Sequence, residues 1–135
     1  MKIKIKLSFL LFISVLAVSC NNAQQSKLIE EGVVKIVTPV EFKEKSTNQL
    51  IVDIRTPREF VQGHIEGAIN INYFDKNFSE QFSKFDTSKP VFIYCKSGNR
   101  TSSASTKISN LGFTQIYDLQ GGVNNWIKNR NQIIK

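Results

Sequence analysis

Two short apolar runs in this chain are each followed by the same helix-start signal. Val33-Val34-Lys35-Ile36-Val37 leads into Thr38-Pro39-Val40-Glu41, and Leu50-Ile51-Val52-Asp53-Ile54 leads, after Arg55, into Thr56-Pro57-Arg58-Glu59. Threonine caps a helix, proline suits its first turn, and glutamate three places after the threonine completes a capping box. A β-branched run that stops at such a signal is a strand handing over to a helix. The alternation continues. Ala68-Ile69-Asn70-Ile71 is a third extended piece, Phe78-Ser79-Glu80-Gln81-Phe82 a short helix, Val91-Phe92-Ile93-Tyr94 a uniformly apolar strand and Gln115-Ile116-Tyr117-Asp118-Leu119 a fifth strand. Between the last two, Ala104, Ile108 and Leu111 share one face of a helix that Gly112 ends, with Phe113 folding back. After a Gly121-Gly122 turn, Val123-Asn124-Asn125-Trp126-Ile127 reads as the last helix. Strands separated by helices predict an α/β domain, with a mainly parallel sheet of about five strands and helices on both faces. The strand over 91–94 belongs at its centre.

The N-terminus has a different character. Lys2, Lys4 and Lys6 precede about a dozen apolar residues, then Ser19 and Cys20. This is the layout of a secretory signal peptide, too short for a comfortable membrane span. Leu16-Ala17-Val18-Ser19-Cys20 resembles a bacterial lipobox, with Ala17 where leucine is usual. That resemblance implies lipidation of Cys20, residues 1–19 as signal, 20–30 as a polar tether and 31–135 as a domain held at the membrane of the cell envelope, exported rather than cytoplasmic. The chain carries a net charge of +7, and loss of the three lysines leaves +4. No Lys/Arg cluster interleaved with aromatics marks it as a nucleic-acid binder.

The chemistry is expected at the carboxyl ends of the strands, where Cys95 falls. Cys95-Lys96-Ser97-Gly98-Asn99-Arg100-Thr101 opens a helix through a glycine-containing loop. Converging backbone N–H groups, the helix dipole and two cations there stabilise a sulfur anion. With Cys20 lipidated, Cys95 is left without a disulfide partner or a resolving thiol. Arg100 offers a planar fork for an oxyanion. Two substrate classes fit: sulfane-sulfur donors such as thiosulfate or persulfides, and phosphate or arsenate esters.

Four blocks together, running from Asp53 to Phe60, Gly63 to Ile71, Cys95 to Thr101 and Gly121 to Trp126, resemble in order the motifs of single-domain rhodanese-like sulfurtransferases. The resemblance implies a three-layer domain in which the cysteine matching Cys95 carries sulfur as a persulfide, and Lys96, Ser97, Gly98, Asn99, Arg100 and Thr101 cradle the substrate. Glu66, Asn72 and Val123 depart from the family's usual residues outside the loop. Four residues separate Cys95 from Arg100, as in rhodaneses; the related phosphatases and arsenate reductases have one more. The expected partners are a small anionic sulfur donor and a thiol or cyanide acceptor, with no cofactor and no metal. The alternatives are a non-catalytic sulfur-carrier or binding module at the cell envelope and, after it, a phosphatase or arsenate reductase. Asp53, Arg55 and His64 are expected to be supporting residues, Trp126 core, and Ser102 and Ser103 helix-start residues.

Overall fold

The computed structural model describes residues 33–135; the signal segment, Cys20, the whole of the tether and residues 31–32 lie outside the described residues. The first Thr-Pro-x-Glu unit joins β1 (Val34–Val37) to α1 (Pro39–Lys45), and the second joins β2 (Leu50–Asp53) to α2 (Pro57–Gln62). Both capping boxes form. Thr38 and Thr56 each accept a backbone N–H from the glutamate three residues on, and each glutamate carboxylate accepts the threonine's own N–H. Then follow β3 (Ala68–Asn70), α3 (Phe78–Phe82), β4 (Val91–Tyr94), α4 (Asn99–Asn110), β5 (Ile116–Leu119) and α5 (Gly122–Lys128). The strand expected over 50–54 ends one residue sooner, although the Ile54 N–H still bonds the Tyr94 carbonyl at 3.0 Å.

The five strands form one parallel sheet in the order β1-β5-β4-β2-β3. All four residues of β4, the central strand, are buried. A central parallel strand is covered on both faces, which is why it lacks polar–apolar alternation. Its odd-numbered residues, Val91 and Ile93, join Val52, Phe82, Ala104 and Ile108 in a core under α3 and α4. Phe92 and Tyr94 join Phe42, Val123 and Trp126 in a second core under α1 and α5. There the Phe42 ring stands edge-on to Phe92, with centroids 5.3 Å apart, and to Trp126 at 6.1 Å. Fully burying a side chain such as Phe42 stabilises the fold by about 2–3 kcal/mol. The last residues form a strap: Ile134 exchanges two backbone hydrogen bonds with His64, both 2.9 Å.

Candidate active site

Cys95 follows β4 directly, at the carboxyl edge of the sheet. Its side chain continues the inward series of Val91 and Ile93, so the thiol is only 1 % exposed. The chain then bends through Lys96 and Ser97 to Gly98, whose φ of 99° lies in the left-handed region. That conformation is natural to glycine. It turns the Gly98 N–H back onto the Cys95 sulfur at 3.1 Å. Gly98 is also the N-cap of α4, so the sulfur sits beneath the positive end of a twelve-residue helix. Thr101, buried in the first turn, donates its hydroxyl to the Gly98 carbonyl at 2.9 Å and lies 3.9 Å from the sulfur. Lys96, Ser97 and Asn99 are exposed around the rim. Of the expected loop residues, Gly98 and Thr101 meet the thiol directly.

A second helix start grips the loop from outside. The Val123 N–H donates to the Cys95 carbonyl at 2.9 Å, and the Asn124 N–H to the Lys96 carbonyl at 3.1 Å. Helix α5 thus gives orphan first-turn donors to the stretch of chain that carries Cys95. The contact is so close that a Cβ on Gly122 would lie 2.5 Å from the Cys95 oxygen. The sequence shows Gly121-Gly122 as a turn, and nothing in it says which backbone the second glycine must touch.

Arg100 does not face an empty anion site. Its two terminal nitrogens donate to Glu59 Oε2 at 2.8 Å and Oε1 at 2.7 Å. The expected fork for a substrate oxyanion is instead closed on a carboxylate from α2. Arginine and carboxylate geometries match in just this bidentate way. Hydrogen bonds from Arg100 hold the Glu59 carboxyl down at about 2, against burial, with the Thr56 N–H and hydroxyl assisting. The same glutamate therefore caps α2 and pins the end of the Cys95 loop. Glu59 was legible as a capping residue, but its second role needs the fold. The Arg100 guanidinium also lies 5.9 Å from the centroid of the Phe74 ring, which is 65 % exposed at the rim.

The supporting residues divide. Asp53 and Arg55 form a buried pair at the end of β2: Arg55 Nη2 lies 2.6 Å from Asp53 Oδ2 and donates to the Gly63 carbonyl at 2.7 Å. Burial opposes the Arg55 charge, and Asp53 overcomes that, leaving the guanidinium more firmly protonated than usual. Asn70 ties the backbone of both residues through its side-chain amide. His64 lies beyond the end of α2. Its ring stacks on Phe60 with centroids 3.7 Å apart, and Nδ1 meets the Phe60 carbonyl at 3.1 Å. These contacts make it a brace between α2 and the C-terminal strap.

Comparison with known proteins agrees with this fold. The family model of the rhodanese-like domain matches residues 38–129. The Bacillus subtilis protein YqhL is 33 % identical over 101 residues, covering 75 % of this chain and 79 % of its own. Thiosulfate sulfurtransferase 16 of Arabidopsis thaliana chloroplasts is 40 % identical over 88 residues, 58 % of this chain and 73 % of its own. The thiosulfate sulfurtransferase GlpE of Shewanella oneidensis is 34 % identical over 95 residues, 63 % and 92 % of the two chains. Among solved structures, a rhodanese-related protein from Thermoplasma volcanium superposes with a TM-score of 0.64 at 27 % identity, covering 74 % of this chain and 97 % of that one. A parallel five-stranded sheet, a buried thiol under a helix start and a family match over most of the chain lead to one statement: this protein belongs to the rhodanese-like domain family.

Proposed function

We propose that the protein is a sulfurtransferase that carries sulfane sulfur as a persulfide on Cys95. One observation supports this above the others: the Gly98 N–H is aimed at a buried sulfur, at 3.1 Å, where α4 begins. A donor in that position stabilises a thiolate before attack and a persulfide anion after it. In the first step the Cys95 thiolate attacks the outer sulfur of thiosulfate or of a persulfide donor. A new S–S bond forms, and the bond to the leaving group breaks with its electron pair, so that thiosulfate releases sulfite. In the second step a thiophile such as cyanide or a thiol attacks the terminal sulfur, and the thiolate returns. No external oxidant or reductant is consumed, and the kinetics are ping-pong. Lys96, exposed on the rim, supplies positive charge to the arriving anion, while the Arg100–Glu59 pair holds the loop in shape.

The decisive experiment incubates purified protein with thiosulfate and weighs it intact. The wild type gains one sulfur and then yields thiocyanate on addition of cyanide; Cys95→Ser does neither. Sulfur transfer by the serine variant would overturn the proposal, and loading without turnover would make the domain a carrier. The signal pattern extends the same proposal to location: a lipid on Cys20 tethers the domain at the cell envelope, outside the cytoplasm.

A further inference from the structure

One buried acid beside the loop takes no part in sulfur transfer as proposed above. Asp118 is the third residue of β5, in register with Ile93 of β4 on one side and Ile36 of β1 on the other. Alternation along the strand puts it on the same face as Ile116, the face covered by α4. It is only 6 % exposed, and its Oδ1 is buried with no hydrogen-bond partner among the described residues. A carboxylate tolerates that poorly, whereas a neutral acid loses less by burial and has a proton to donate. Thr101 and Ser105 are the polar residues that α4 buries, and the Ser105 hydroxyl is already bound to the Thr101 carbonyl. The Thr101 hydroxyl is the group that favours the charged form of Asp118. The same hydroxyl donates to the Gly98 carbonyl and lies 3.9 Å from the Cys95 sulfur. A hydroxyl has one proton to give. Here three acceptors compete for it: a carboxyl, a loop carbonyl and the nucleophile.

We propose that Asp118 is a positioning residue for the Cys95 thiolate, acting through the Thr101 hydroxyl. As a neutral acid it donates to Thr101 Oγ1 and leaves the hydroxyl proton for the loop and the sulfur; as a carboxylate it takes that proton for itself. The inference rests on Cys95 being the nucleophile of the proposed reaction.

Burial pushes the Asp118 carboxyl up to about 7, with the Thr101 hydroxyl pulling the other way. The exchange therefore falls in the neutral range. The elements packed around Asp118 bring little other charge to it. β4 offers Ile93 and, beyond its end, the Cys95 thiol; β1 offers Ile36; α4 offers Thr101 and Ser105. Lys35 of β1 lies over the Tyr117 ring, one residue along and so on the opposite face, and Arg100 is turned to Glu59. The sign follows directly. Above about 7 the carboxylate takes up the Thr101 donor, and loss of that donor disfavours a sulfur anion. Sulfur reactivity is thus restrained at alkaline pH.

Alkylation of Cys95 by iodoacetamide tests this without any sulfur donor. The full chain is treated between roughly pH 5.5 and 9, and the rate is read by mass on the peptide that contains Cys95. In the wild type the rise with pH is interrupted near neutrality. Asp118→Asn, whose amide donates to Thr101 permanently, matches the wild type in acid, lacks the interruption and reacts about tenfold faster in alkali, the effect of one hydrogen bond to a charged group. In a Thr101→Val background the Asp118→Asn difference disappears. Superposed wild-type and Asp118→Asn profiles would overturn the proposal. So would an undiminished Asp118→Asn effect without the Thr101 hydroxyl. Asp118→Ser, smaller and also uncharged, gives the same comparison if the amide prevents folding. Because alkylation needs no thiosulfate, failure of this inference and failure of sulfur loading register in different measurements.

Discussion

Replacing Glu59 by glutamine would separate the two tasks that its carboxylate performs. Glutamine retains an oxygen that can accept the Thr56 N–H, so the helix cap survives; the charge that pins Arg100 does not. The Glu59 carboxyl is held at about 2 against an ordinary 4.5, chiefly by the Arg100 hydrogen bonds. At about 1.4 kcal/mol per pH unit, that gap amounts to roughly 3 kcal/mol if wholly expressed. The pair is partly screened, since the Arg100 and Glu59 side chains are 19 % and 26 % exposed. Solvent screening of that degree reduces the figure to about 1–2 kcal/mol. The sign is set by the lowered value: the stabilisation is fully present above 4.5 and is lost as the pH falls through about 2. Urea unfolding of wild type and Glu59→Gln at a series of pH values reads it directly. At pH 7 the variant should be less stable by about 1–2 kcal/mol, and the two curves should converge as the pH approaches the folded-state value. Equal stabilities at pH 7, or a gap that does not change with pH, would refute the reasoning. Thiosulfate loading of the variant should also slow, because the end of the Cys95 loop loses its anchor.

Two more outcomes are expected. Gly122→Ala introduces a Cβ at 2.5–2.7 Å from the Cys95 and Lys96 backbone, at a residue with φ of 61°. Overpacking and left-handed strain together should destabilise it by about 2–4 kcal/mol in urea unfolding and weaken persulfide loading, as measured by intact mass. In the location proposal, Cys20→Ser should abolish incorporation of labelled palmitate and release the protein from the membrane fraction; unchanged labelling would place the lipid elsewhere or show that the segment is not processed as proposed.

Most of the architecture was legible because its signals are local. A capping box involves four consecutive residues, and both Thr-Pro-x-Glu units formed where the sequence placed them. The uniform apolarity of residues 91–94 correctly marked the central strand. The cysteine loop was legible for the same reason, since sulfur, glycine and helix start are adjacent in the chain. What stayed hidden involves partners far apart in sequence. Arg100 looked free because its partner lies forty-one residues earlier. Asp118 was one residue of the fifth strand, and nothing local shows that α4 covers it. Gly122 looked like half of a turn because the carbonyls it must clear belong to a different strand's end. In each case the sequence contains the residue type, and only the folded sheet supplies the neighbour.

The grip of α5 on the loop also has a consequence for the order in which the protein comes into being. Ribosomes make Cys95 well before the residues whose N–H groups hold its carbonyl and that of Lys96. Until residues 121–124 have been added and have docked, the thiol has a strand behind it but no finished cradle. A chain lacking those residues would therefore have the Cys95 thiol without the grip that, under the proposed function, helps to shelter a persulfide. Under the proposed function, competence to carry sulfur would wait on the docking of residues 121–124, and mass gained from thiosulfate would double as a report that this grip has closed.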